Sequence, residues 1–162
     1  MYNNEMHKKI KRVYVETSVI SGMFDSNDHP ARAQPFWDAV FNGKIRVVLS
    51  DVLKEEVECA PQHVRDFYAK IPESQIERIA AAEEADALAE QYVFAGIVGE
   101  KSLNDCRHVA LAAIAGADVL VSFNCRHIVN LNRIDQYNAI NTLHGYPKIE
   151  IRTPDEVIYD ET

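Results

Sequence analysis

Apolar residues in this chain come in short blocks that switch between strand-like and helix-like spacing. Residues 12–16 predict a buried strand, and Ile45-Arg46-Val47-Val48-Leu49 predicts a second. Val119-Leu120-Val121-Ser122 reads as a central strand and Ile149-Glu150-Ile151 as a last one. Between them lie helical patterns. Residues 31–42 place Phe36, Trp37, Val40 and Phe41 on one side, and Gly43 closes that helix. Ser50 or Asp51 caps a helix running to about Cys59. Pro61 opens another over 62–70, and Pro72 stops it. Residues 73–95 are rich in Ala and Glu, with Ala85, Leu88, Ala89, Tyr92 and Val93 at helical spacing until Gly96 and Gly99 break the pattern. Residues 102–115 predict a strong helix with Leu103, Cys106, Val109, Ala110, Ala113 and Ile114 facing inward, ended by Gly116. Residues 131–144 are helical in pattern, and Thr153-Pro154-Asp155-Glu156 starts a short helix with Pro in its first turn. Residues 18–30, with Gly22 and Asp28-His29-Pro30, read as a loop.

Strands that alternate with helices imply a mostly parallel sheet covered on both faces. The expected fold is a three-layer α/β/α sandwich of four or five short strands. The length of 162 residues suits one domain with a proper core, expected over 12–158 between tails at 1–11 and 159–162. The charged N-terminus is not followed by a long apolar run, so no signal peptide is expected, and no stretch reaches the ~18 apolar residues of a membrane span. A cytoplasmic protein without membrane contact is expected. Cys59, Cys106 and Cys125 form no CxxC pair and read as reduced thiols.

A net charge of −8 argues against nucleic-acid binding through the whole surface. The charge is uneven, however. Residues 50–90 carry eleven acids against Lys54, Arg65, Lys70 and Arg78, a balance of −7. Residues 100–133 carry Glu100, Asp105 and Asp118 against Lys101, Arg107, Arg126 and Arg133, a balance of +1. A phosphate backbone would be met in that second region, with Arg107 and Arg126 as the contact candidates.

The chemistry concentrates where strands end. Val13-Tyr14-Val15-Glu16-Thr17-Ser18 puts a carboxylate and two hydroxyls at the carboxyl end of the first strand, where α/β proteins handle ligands. A carboxylate ending a buried apolar strand needs a partner or a metal. Glu56 lies beside the face that Val52, Leu53 and Val57 turn to the core, while Glu55 and Glu58 point toward water. Asp105 starts a helix, and Ser102-Leu103-Asn104-Asp105 resembles a capping box. That position favours the ionised carboxylate a magnesium ligand needs. Asn124, after Ser122 at a strand end, can orient water or substrate. Thr17, Ser18 and Ser122 are the supporting hydroxyls. His108 and His127 lack the spacing of a ligand pair, and His108, one turn past Asp105, is expected to pack or bond locally. Asp118 and Asp135 read as structural.

These segments together resemble a PIN domain. Glu16-Thr17-Ser18 is similar to the opening of a PIN subfamily with Glu where Asp is more common. Ser50-Asp51-Val52-Leu53-Lys54-Glu55-Glu56-Val57 resembles the second motif, in which an acid follows a Ser by six positions, and this selects Glu56. Asp105-Cys106-Arg107-His108-Val109-Ala110-Leu111-Ala112 is similar to the third motif. Val121-Ser122-Phe123-Asn124-Cys125-Arg126-His127-Ile128-Val129-Asn130 resembles the fourth, and Arg152-Thr153-Pro154-Asp155-Glu156 the close. The resemblance implies a Mg2+- or Mn2+-dependent ribonuclease with Glu16, Glu56 and Asp105 as metal ligands and Asn124 completing the catalytic set. It also implies a toxin of the VapBC type, with RNA as substrate, a small antitoxin as partner and a homodimer as assembly. Glu16 is one methylene longer than the usual Asp, and Asn124 is neutral where many relatives have Asp. Both departures weaken a second metal position and keep a rival open: a PIN-fold RNA- or protein-binding module with weak or no nuclease activity. A phosphotransfer enzyme would want an Asp nucleophile in a DxDxT run after the first strand, which Glu16-Thr17-Ser18 does not supply.

Overall fold

The computed structural model describes residues 11–159, so most of the expected tails lies outside the described residues. Five parallel strands form the sheet: β1 Arg12–Val15, β2 Arg46–Ser50, β3 Ile76–Ile79, β4 Val119–Val121 and β5 Glu150–Arg152, in the order β3-β2-β1-β4-β5. The helices are α1 Ser18–Ser21, α2 His29–Phe41, α3 Asp51–Glu58, α4 Gln62–Lys70, α5 Glu83–Phe94, α6 Leu103–Ile114, α7 Leu131–Leu143 and α8 Pro154–Tyr159. The chain lays down β1, β2 and β3 in one direction, then crosses back to add β4 and β5 on the other side of β1. The order therefore reverses at β1, which makes its carboxyl end the switch point of the sheet.

Strand alternation separates two cores. Val13, Val15, Val47, Leu49, Val119 and Val121 pack under α2, whose Ala33, Phe36, Trp37 and Val40 are buried with them. Tyr14, Val48 and Leu120 point to the opposite face, against α5, α6 and Tyr137 of α7. The expected α/β/α sandwich is the observed one. Helix α3 belongs to both sides: Val52 joins the α5–α6 core, and Leu53 and Val57 join the α2 core. It crosses the carboxyl end of the sheet and carries Glu56 there.

Three expectations need correction. Residues 18–30 are not a plain loop. The chain turns directly into α1, with Val19 N bonded to Glu16 O at 3.0 Å and a 3-10 turn following at Gly22–Phe24. Four residues are too few for a helical period to be legible. Gly22 packs closely there: a Cβ would stand 3.1 Å from the Phe123 ring, which would have to give by a few tenths of an ångström. Within 73–95, the stretch Ile76-Glu77-Arg78-Ile79 is a strand, paired to β2 in the register Val47↔Ile76 to Ser50↔Ile79. It is an edge strand, so its polar middle is tolerated, and Glu77 bonds Arg12 at 2.6 Å. Ser102 does not form the expected capping box. Its backbone, at φ −101° and ψ 19°, continues the 3-10 turn Glu100–Ser102 into α6, and its side chain makes no cap bond. Half of a capping box stands at the start of α8 instead: the Glu156 side chain reaches back, and Thr153 N and Oγ1 donate to its Oε1 at 3.2 and 2.7 Å.

Burial pushes the phenols of Tyr14, Tyr92 and Tyr137 above their ordinary range, and the Cys106 thiol up to about 12. These groups ionise in the unfolded chain before they do so in the fold, so stability is complete below their unfolded values and falls as pH rises past them. Thermal melts are expected to be flat up to about pH 8.5 and then to decline, each phenol removing about 1.4 kcal/mol by pH 11.

Candidate active site

Glu16 follows β1 directly, and its backbone N–H still bonds Val121 O of β4 at 3.1 Å. The side chain is 6% exposed. Ser18 Oγ and Ser122 Oγ each donate to Glu16 Oε1 at 2.5 Å, and Ser18 N donates to Oε2 at 3.2 Å. Each serine spends its single hydroxyl proton on the carboxylate. Its lone pairs are used from the other side: Phe123 N donates to Ser18 Oγ at 2.8 Å and Asn124 N to Ser122 Oγ at 2.9 Å. No Lys or Arg pairs with Glu16 among the described residues. A buried carboxylate without a cation keeps an effective desolvation cost of several kcal/mol. The neighbouring Thr17 Oγ1 is itself buried and without a hydrogen-bond partner.

Asp105 lies in the first turn of α6 with its side chain 25% exposed. His127 Nδ1 is 3.1 Å from Asp105 Oδ2 and 3.2 Å from Ser102 Oγ, so the Ser102 hydroxyl serves His127 rather than the helix start. Asn124 Oδ1 accepts His127 N–H at 3.0 Å, and Tyr137 OH donates to His127 O at 2.8 Å. A continuous set of hydrogen bonds thus runs from Glu16 through Ser122, Asn124 and His127 to Asp105.

Glu56 is held from the other side of the crevice. Its Oε1 is 2.5 Å from His108 Nε2, and His108 Nδ1 is 2.7 Å from Tyr14 OH. Tyr14 OH also lies 2.8 Å from Ser50 Oγ. Tyr14 is fully buried two residues before Glu16 on β1, and an unpartnered phenol there would cost about 1–3 kcal/mol. His108 is 1% exposed and one turn past Asp105 on α6. The two networks therefore meet through the backbone of β1 and of α6. The fields of Glu16 and Glu56 both raise the Tyr14 phenol further, after burial as the main cause.

Every residue expected at the site lies at the carboxyl-end side of the sheet, but their engagement differs. Ser18 and Ser122 bond Glu16, whereas the Thr17 hydroxyl does not. Asn124 uses its amide oxygen to shape a turn onto His127. Arg107 is tied to Asp86 at 3.1 Å and to Asn104 Oδ1 at 2.8 Å, while Arg126 is exposed. Sequence reasoning missed Tyr14 and the reach of His108, which bonds across to Glu56 rather than locally. A tyrosine inside a strand buried on both faces was the available signal, because its hydroxyl must find a partner.

The donor set has the chemistry of a hard cation site. Glu16, Glu56 and Asp105 offer carboxylate oxygens, and Asp105 Oδ1 and Glu56 Oε2 accept no hydrogen bond among the described residues. The unpartnered Thr17 hydroxyl adds a buried polar atom beside Glu16. As the side chains stand, no three His, Cys, Asp or Glu among the described residues converge into a cage for an ion.

The PIN domain family model matches residues 13–133, from β1 to the start of α7. No curated protein matches at the sequence level. Among solved structures, VapC20 of Mycobacterium tuberculosis, described as a sarcin–ricin loop cleaving toxin, is similar with a TM-score of 0.55 and 14% identity, covering 71% of this chain and 92% of the toxin. VapBC2 of Rickettsia felis, bound to a DNA fragment from its promoter, is similar with a TM-score of 0.54 and 12% identity, covering 88% of this chain and 98% of that one. At such identities the likeness is one of fold, and in this chain that fold brings Glu16 and Asn124, after β1 and β4, toward Asp105 on α6. With the family model spanning well over half of its length, the chain belongs to the PIN domain family.

Proposed function

We propose that this PIN-domain protein is a divalent-metal-dependent ribonuclease that hydrolyses RNA phosphodiester bonds. The observation that carries the reading is Glu16, a carboxylate buried at the switch point, held only by hydroxyl and amide donors and flanked by an unpartnered hydroxyl. Glu16, Glu56 and Asp105 would hold Mg2+ or Mn2+, whose oxygen preference fits them. When bound, the cation supplies a water of lowered pKa and offsets charge building on the phosphate. The chain's own residues do the placing. Ser18 and Ser122 orient Glu16, His127 orients Asp105, and Asn124 fixes the turn that carries His127. Arg126, exposed beside that turn, is the phosphate contact, with Arg107 behind it once released from Asp86. No side chain here is needed as a covalent nucleophile.

The two neighbours of VapC fold support a narrower reading, the toxin of a VapBC-type pair held inactive by a small antitoxin. A homodimer acting in the cytoplasm accompanies that reading. Among the described residues no helix is long and apolar enough to cross a membrane. One observation favours the rival binding module: Asn124 is neutral and its amide oxygen is already engaged by His127 N–H.

Cleavage of total RNA separates the two readings. Wild type with Mg2+ or Mn2+ is expected to cut weakly but measurably, with Mn2+ the better cofactor, and Glu16→Gln or Asp105→Asn to cut at least about a hundredfold less. Asp105→Asn keeps a side chain that can still accept from His127. It loses the helix N-terminal charge interaction, about 0.3–1 kcal/mol, so melting should shift by less than about 4 °C. Unfolding of that variant would mark Asp105 as a structural residue. No cleavage by wild type at any concentration of either metal supports the binding module.

Asn124→Asp keeps the acceptor for His127 N–H and adds a charge beside Asp105. Titration of Mn2+ against cleavage rate is expected to show a lower half-maximal concentration than wild type. A drop in turnover without that shift would instead assign Asn124 to contact with substrate phosphate, which the new charge repels.

A further inference from the structure

Four side chains form a buried line that ends on Glu56. Leu53 N–H donates to Ser50 Oγ at 3.2 Å. Ser50 Oγ and Tyr14 OH are 2.8 Å apart, Tyr14 OH and His108 Nδ1 are 2.7 Å apart, and His108 Nε2 and Glu56 Oε1 are 2.5 Å apart. Tyr14 and His108 meet edge-on, at 71° between rings. Ser50, Tyr14 and His108 are 2%, 0% and 1% exposed, so water cannot complete any bond that is missing.

The carboxylate end, with His108 carrying one ring proton, fixes its direction. A backbone N–H can only donate, and an ionised carboxylate can only accept. Ser50 Oγ, already accepting from Leu53, gives its proton to Tyr14. Tyr14 then gives its own to His108 Nδ1, and His108 donates from Nε2 to Glu56. Every polar hydrogen and every interior acceptor is used once. Burial, which keeps the Tyr14 phenol protonated, agrees with its role as donor to His108. Reversing the line would need a second proton on His108 and would leave the buried Ser50 hydroxyl proton without an acceptor.

Resting on the nuclease reading above, we infer that Tyr14 and His108 are positioning residues that fix the Glu56 carboxylate at the crevice through a one-way hydrogen-bond relay from Ser50. Glu56 sits on an eight-residue helix and its side chain is 32% exposed. Unaided, it would sample several rotamers and lose that freedom on binding an ion. The relay anchors it to β1, β2 and α6 together. Outer partners of this kind change metal affinity by about 10–100-fold when removed. The same relay explains why a histidine without any ligand spacing sits one turn past Asp105.

The test has two arms. In the metal-free wild type, long-range proton–nitrogen NMR of the histidine rings is expected to show His108 as a single tautomer, protonated at Nε2 and bare at Nδ1. A proton on Nδ1 overturns the relay. Calorimetric titration with Mn2+ alone, without RNA, should then show Tyr14→Phe and His108→Ala binding about tenfold or more weakly than wild type. His108→Gln, whose amide can still donate to Glu56, should recover part of that loss. Tyr14→Phe keeps the buried ring, so it guards against a folding failure of His108→Ala. Mn2+ affinities within twofold of wild type in Tyr14→Phe overturn the positioning role. A wild type that takes up no Mn2+ defeats the nuclease reading instead, and the relay is then decided by the tautomer.

Discussion

A carboxylate buried at the end of the central strand constrains everything around it. Glu16 is out of water and without a cationic partner among the described residues, so its charge must be met by oriented donors. Ser18 comes from the turn into α1 and Ser122 from the end of β4. Both are available only because β1 and β4 are neighbours in parallel register, Val15 opposite Val121. The sheet order is thus a condition for the site. Had β1 been an edge strand, Glu16 would have met water and needed neither serine.

Helix α6 carries the second half of the arrangement. Asp105 and His108 are three residues apart, so they share one side of the helix. Asp105 reaches His127 on the loop after β4, and His108 reaches Glu56 on α3. A single helix therefore sets the spacing between two of the three carboxylates. It packs against α5, with Cys106, Val109 and Ala110 in the core that the two helices share, which fixes its height on the sheet. Small residues on that face, Cys106 and Ala110, let α6 approach closely without displacing the polar side.

Each carboxylate has its own donors: hydroxyls for Glu16, His127 for Asp105, His108 for Glu56. This division matters chemically. Three like charges near one another repel, and neutral donors moderate that repulsion while leaving each group an acceptor for an incoming cation.

Local pattern was enough for most of the frame. The buried runs of β1, β2 and β4, the amphipathic spacing of α2 and α6, and the stops at Gly43 and Gly116 depend on nearest neighbours along the chain, and all were readable there. So was the carboxylate at the end of β1, because an apolar strand that stops at an acid is a local event. Strand β3 was not readable: with only Ile76 and Ile79 apolar, it is a strand because β2 offers it a ladder. Nor was the role of Ser102, which the sequence offered as a helix cap and the fold turned toward His127. The Ser50–Tyr14–His108–Glu56 line joins residues as far apart in sequence as Tyr14 and His108, 94 positions; in space its members are adjacent. Sequence by itself determined which residues could be strands, helices and acids. Tertiary structure alone decided which donor each acid received, because a hydrogen bond between distant residues depends on the packing of whole elements and leaves no local periodicity to read.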